Sequence, residues 1–222
     1  MAYAENKRYF KNREQAGYEL GLLLERKYKD VDPLVVGIPR GGVEVAYYVA
    51  KELHAKLFII ISKKLPLPQQ PEFGIGAVSE ENSIYVSPKV KGMLSPEVID
   101  QIIEQQEAEV ERRVQKYRKG KPLPEMKGRT VIIVDDGIAT GVTLVPVITL
   151  CRKKGAAEII IAAPVSGTSY NEGLNEADAV EILIQPASFY AVGQVYETFG
   201  DFEDDQLMAL LAKNEEEQLK AP

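Results

Sequence analysis

Residues Val131–Thr143 read VIIVDDGIATGVT. With Thr130 in front, they open on five residues, mostly β-branched, with no polar face. Such a short apolar run reads as a strand buried on both sides. It passes directly into two adjacent acids and then a loop of small and hydroxylated residues. An apolar-periodic stretch follows over Val142–Lys154, which reads as a helix ended by Gly155. Strand, short loop and helix, with the strand enclosed on both faces, is the repeating unit of a parallel α/β sheet.

The flanking sequence has the same grammar. Downstream come a strand at Ile159–Ala163, a helix over 169–177 and a strand at Val180–Ile184. Upstream, Ala16, Leu20, Leu23 and Leu24 place an amphipathic helix over 14–29. Pro33–Ile38 (PLVVGI) is a buried strand that ends in Pro39 and the glycines Gly41 and Gly42. A helix over Val43–His54 and a strand at Leu57–Ile61 complete a strand–helix–strand crossover, which implies parallel pairing. Lys63–Phe73 carries three prolines and reads as a long exposed loop, the usual setting of a lid. A hairpin is expected from Gly74–Val78 and Ser83–Ser87 around Glu80–Asn82. Ser95 and Pro96 start a long helix that runs to about Gly120. The tail is expected to be helical over 203–213 and frayed from Glu215. The expected fold is α/β, a mostly parallel twisted sheet flanked by helices. It forms one domain over 1–222: a core of about 8–185, a small C-terminal hood over 186–202 and the terminal helix.

Composition narrows the function classes. The 222 residues are 45% hydrophobic and 27% charged, enough to bury a real core. The formal net charge of −6 argues against a general binder of phosphate backbones, so no nucleic-acid partner is expected. One cysteine, Cys151, excludes two-thiol redox chemistry and cysteine-rich zinc sites. The lone histidine, His54, closes a helix and has no evident partner. The N-terminal MAYAENKRYFKNREQAG has no apolar secretion segment, and no run of apolar residues could span a membrane. A cytoplasmic location is the default.

The chemistry concentrates in the Gly137–Thr143 loop. In open α/β sheets, ligands bind beyond the carboxyl ends of strands. There the loop amides and the following helix N-terminus favour an anion, most simply a phosphate. Thr140 and Thr143 add hydroxyls, and Gly141 removes a Cβ from the path of approach. Asp135 and Asp136 are unfavourable beside a phosphate unless sugar hydroxyls or Mg²⁺ offset them. A phosphorylated ribose meets all of these demands.

VIIVDDGIATGVT resembles the 13-residue 5-phosphoribosyl pyrophosphate (PRPP) signature of type I phosphoribosyltransferases. The resemblance implies that Ala139, Thr140, Gly141, Val142 and Thr143 hold the 5-phosphate. It implies that Asp135 and Asp136 hold the ribose hydroxyls and Mg²⁺. VVGIPRGGVEVA, Val35–Ala46, resembles the family's pyrophosphate loop, with Arg40, Gly41 and Gly42 as its binding residues and a cis peptide expected at Pro39–Arg40. Lys63–Lys64 and the following LPLPQQPEFGIGAVSEEN resemble the mobile catalytic loop and hairpin of adenine-type members. Either lysine could meet the leaving pyrophosphate, and Glu80 falls near a functional glutamate of those members. The aromatic stretch Pro186–Phe202 corresponds to a base-stacking hood, with Phe189, Tyr190, Val192 and Tyr196 as candidates. The 6-oxopurine enzymes carry an acid where this chain has Ala139, so hypoxanthine and guanine are disfavoured. FKNREQAG together with PRGG is most similar to bacterial members without an assigned acceptor. The implied reaction is Mg²⁺-dependent transfer of phosphoribosyl from PRPP to a nitrogenous, purine-like acceptor. Arg40, Lys64, Asp135 and Asp136 would act at the reacting centre. The resemblance leaves open a non-catalytic PRPP or nucleotide sensor, and it leaves open a homodimer.

Overall fold

The computed structural model describes residues 10–90 and 92–220. Helix α1 spans Arg13–Tyr28 and is capped by Asn12, whose side chain accepts from the Gln15 amide. Strand β1 (Leu34–Gly37), helix α2 (Gly41–Glu52) and strand β2 (Lys56–Ile59) form the first crossover. An antiparallel unit of β3 (Ser62–Leu67), β4 (Gln70–Ser79) and β5 (Ser83–Val86) follows, and then the long helix α3 (Pro96–Arg118). The chain returns to the main sheet through β6 (Thr130–Val134), α4 (Val145–Lys153), β7 (Glu158–Val165) and β8 (Ala179–Ile184). It ends in α5 (Asp204–Lys220).

The main sheet has the order β2-β1-β6-β7-β8, and every pairing in it is parallel. Strand β6 is buried along its whole length, and its two faces feed different cores. Val131 and Ile133 pack with Val147, Ile148 and Cys151 of α4. Ile132 and Val134 pack with Leu20 and Leu24 of α1 and with Val45 and Val49 of α2. Apolar residues on both faces are what a sheet covered by two helical layers requires. From β1 the chain crosses to β2 on one side, while β6 lies on the other side. Strand order therefore reverses between β1 and β6, which sets a crevice at their carboxyl ends.

The fold class agrees with expectation, and four local readings change. Residues 63–73 are not a loop: most of them lie in β3 and β4. Their prolines hid this, yet each has a place. Pro66 lies at a register irregularity on β3, an edge strand, Pro68 lies in the turn between β3 and β4, and Pro71 lies on β4 beyond the part that pairs with β5. Helix α4 starts at Val145, three residues later than expected, because Gly141–Leu144 forms a turn closed by Leu144 N–H donating to the Gly141 carbonyl. The expected helix over 169–177 is a single 3₁₀ segment, Glu172–Glu176. Helix α5 does not fray from Glu215: Glu215 pairs with Lys121, and Tyr47 donates to the Glu217 carboxylate at 2.6 Å. The hairpin turn is as expected, with Glu81 and Asn82 both in the left-handed region.

Candidate active site

The β1 and β6 loops meet in the crevice. The Pro39–Arg40 peptide is cis, in line with the family resemblance, and α2 begins at Gly41. A Cβ on Gly41 would lie 2.1 Å from Asp136 Oδ2, and one on Gly42 would lie 2.8 Å from Asp135 Oδ1. Only glycines let the PRGG turn sit against the acid pair, so the two sequence motifs form one site.

Both acids are half-buried. Asp135 Oδ1 accepts from the Asp136 amide at 2.9 Å. Asp136 Oδ2 accepts from Arg13 Nε at 2.8 Å, while the Asp136 carbonyl accepts from the Tyr196 hydroxyl at 2.7 Å. Burial pushes the Asp135 carboxyl well above its ordinary range, and the neighbouring Asp136 charge adds to this. Burial also raises Asp136, opposed chiefly by Arg13. Two carboxyls held together out of water favour a ligand that brings hydroxyl donors or a cation. Arg13 has no role in the sequence reading. One local signal is available: a cation at the first position of a helix opposes the helix dipole and implies a partner elsewhere.

Beyond the acids, the chain bridges to β7: Ile138 N–H donates to the Val165 carbonyl at 2.8 Å. Gly141 has φ +72°, and a Cβ there would lie 2.6 Å from Leu174 Cδ1. Thr140 is fixed by the Asn171 amide donating to its carbonyl, and Thr143 by the Ser62 hydroxyl donating to its carbonyl. Among the described residues, the amides of Ala139, Thr140, Gly141 and Thr143 donate to no protein group. Ala139 and Thr140 are exposed, Gly141 and Val142 are buried, and Thr143 is between the two. Four N–H groups without a protein acceptor in one turn, ahead of a helix N-terminus, are the donors an anion would need.

The two lysines have different settings. Lys64 Nζ donates to the Glu72 carbonyl at 2.9 Å, and its stem lies against Gly74 of the hairpin. Lys63 is half-buried, and its ammonium has no hydrogen-bond or ion-pair partner among the described residues. Burial lowers its ammonium pKa, and the nearby cations Arg113, Arg40 and Arg112 lower it further, opposed by the Glu109 carboxylate. Arg40 Nη1 lies 3.5 Å from carboxylate oxygens of both Glu203 and Asp204. Glu80 is buried away from the crevice, where it accepts from the Ile61 amide at 2.8 Å and pairs with Arg118.

A cleft of about 310 Å³ lies beside the phosphate turn. It is lined by Ala139, Thr140, Gly167, Thr168, Ser169, Ala187, Phe189 and Tyr190. Phe189 and Tyr190 thus stand where a flat ligand could meet them. Val192 and Tyr196 lie outside this lining. Val192 packs against Gly137, and Tyr196 is buried and stacks on Phe199 at 4.9 Å. The aromatic composition of the hood could not separate rings that face the cleft from rings that brace it.

A parallel sheet with free loop amides and an acid pair at its switch point defines a class of α/β proteins whose ligands bind beyond the carboxyl ends of the strands. The chain belongs to the phosphoribosyl transferase domain family, whose model matches residues 11–197. Rv0571c of Mycobacterium tuberculosis strain ATCC 25618 / H37Rv, whose name describes it provisionally as a phosphoribosyl transferase, is 37% identical over 206 residues. That match covers 91% of this chain and 46% of the relative, so the chain spans about half the length of the curated relatives it matches. The crystal structure of TT1426 from Thermus thermophilus superposes with a TM-score of 0.78 at 32% identity. It covers 92% of this chain and 98% of that one.

Proposed function

We propose that this chain transfers 5-phosphoribosyl from PRPP to a nitrogenous, purine-like acceptor with release of pyrophosphate, in a Mg²⁺-dependent reaction. The observation that carries this reading is the set of four free amides at Ala139, Thr140, Gly141 and Thr143, one step from the Asp135–Asp136 pair. The amides receive the 5-phosphate, and the acids receive the ribose hydroxyls. The sugar is thereby held with its first carbon turned toward the PRGG turn. Arg40, the Gly41–Gly42 backbone and Lys63 neutralise the departing pyrophosphate, Lys63 being the lysine without a protein partner among the described residues. Lys64, the next residue on β3, leaves the opposite face of the strand and donates to the Glu72 carbonyl.

Mg²⁺ is bound through one or two carboxylates together with substrate oxygens. Asp135 and Asp136 fit that donor set, and no cluster of three or more metal-binding side chains occurs among the described residues. When bound, the ion supplies charge neutralisation for pyrophosphate and ribose oxygens. The acceptor lies in the cleft between Thr140 and Phe189–Tyr190, where an aromatic ring stacks on a flat heterocycle. Ala139 contributes no carboxylate there, so the acceptor must lose its proton elsewhere.

The test begins with PRPP affinity, measured by calorimetry in the presence of Mg²⁺. Asp135→Asn and Asp136→Asn each weaken it by about tenfold or more, the cost of losing a charge-assisted contact. Unchanged affinity in both variants would overturn the assignment of the acids. Pyrophosphate release is then followed with a panel of bases. PRPP binding without release from any base would identify a sensor in place of an enzyme.

A further inference from the structure

Arg13 is the first residue of α1, yet its side chain is buried, which a cation rarely is unless it is paired. Its guanidinium reaches in several directions. Nε donates to Asp136 Oδ2 at 2.8 Å, and Nη1 donates to the Gly200 carbonyl at 2.9 Å. Nη1 also lies 3.9 Å from Glu44 Oε2 on α2, and the guanidinium carbon sits 4.1 Å from the centroid of the Phe199 ring. Phe199 stacks in turn on Tyr196, whose hydroxyl holds the Asp136 carbonyl.

These contacts close a ring. Arg13 holds the Asp136 carboxylate, Tyr196 holds its carbonyl, and Phe199 braces both holders. Asp136 is therefore gripped at its backbone and at its side chain by groups that support one another. Gly41 of the pyrophosphate turn lies directly against the Arg13–Asp136 bond. A planar fork is needed to bond a carboxylate and a carbonyl while stacking on an aromatic face, and lysine has none.

We infer that Arg13 is a positioning residue: it fixes the orientation of Asp136 toward the ribose and ties that orientation to the C-terminal segment at Tyr196–Gly200. This rests on the proposed PRPP site. It adds to that site a residue that touches no substrate, and it gives Tyr196 and Phe199 a bracing role beneath the acid pair.

The experiment compares two ligands that differ in whether they carry a ribose, PRPP and inorganic pyrophosphate, both with Mg²⁺ and both measured by calorimetry. In Arg13→Gln, PRPP binds about tenfold more weakly or worse, the cost of an uncompensated charged hydrogen bond, while pyrophosphate, which meets Asp136 only through Mg²⁺, loses distinctly less affinity. Arg13→Lys, which keeps the charge and one donor, recovers part of the PRPP affinity. Should Arg13→Gln not fold, Arg13→Lys carries the test through the same split between the two ligands. Equal PRPP affinity in variant and wild type overturns the inference. So does an equal loss of both ligands accompanied by a lower melting temperature, which marks a purely structural role. A wild-type chain that binds pyrophosphate but not PRPP overturns the proposed ribose site, and this inference with it.

Discussion

At the scale of single residues, chemical type says less than surroundings do. Cys151 lies in the last turn of α4 and packs among Val131, Ile133 and Ile148. Burial pushes its thiol up to about 12. Since the thiolate is the reactive form, the native thiol does not react with a disulfide reagent at pH 8. It is modified only at the rate at which the chain unfolds, and stopped-flow labelling against urea-induced unfolding checks this. The apolar neighbours of Cys151 in the sequence already assign it to packing. Arg13 shows the opposite case. Its position in the chain carries a hint of a distant partner, but nothing local could say that the partner was Asp136.

Among elements, two contacts hold the antiparallel unit and α5 against the main body. Arg118 at the end of α3 pairs with Glu80 at the β4–β5 turn, and both are buried. Glu80 also accepts from the Ile61 amide, and Arg118 lies over the Phe58 ring at 5.0 Å. Removing one partner strands a buried charge. Glu80→Ala is therefore expected to cost about 3–5 kcal/mol in urea unfolding, and replacing both partners by apolar residues much less. Asp204 starts α5 and accepts hydrogen bonds from Lys116 and Tyr117, and these hold its carboxyl below the usual carboxylate range. The folded chain thus binds that proton less readily than the unfolded chain. Its contribution to stability is whole above an unfolded value of about 3.9 and is lost as pH falls through the lower folded value. The stability difference between wild type and Asp204→Asn should be flat from neutral pH down to about 5 and shrink below about 4. Thermal melts across that range measure it, and a difference that grows on acidification would contradict the pairing.

For the molecule as a whole, a ligand that binds only the folded state raises stability by mass action. PRPP with Mg²⁺ at about one hundred times its dissociation constant should add about 2.7 kcal/mol. For a chain of this size that corresponds to roughly 5–10 °C in melting temperature. At the same PRPP concentration, Asp135→Asn should cut the shift to about half or less. A wild-type chain whose melting temperature does not move under saturating PRPP would remove the basis of the proposed function.

What could be read from the amino-acid order was whatever depends on near neighbours. The apolar run Thr130–Val134 and its acid–loop–helix sequel follow from side-chain period, glycine and local charge, and they carried the α/β class and the place of the turn after the acids. The run of prolines at Pro66, Pro68 and Pro71 misled for the same reason: local chemistry counts the missing N–H groups, while an edge strand at Pro66, a turn at Pro68 and an unpaired stretch at Pro71 make them harmless. Contacts across the chain followed other rules. Packing set Gly41 and Gly42 against the acids, carried Arg13 to Asp136, turned Phe189 and Tyr190 toward the cleft and buried Tyr196 beneath the acid pair. Those choices rest on desolvation and on partners far away in sequence, and such partners become neighbours only when the sheet and its helices have assembled.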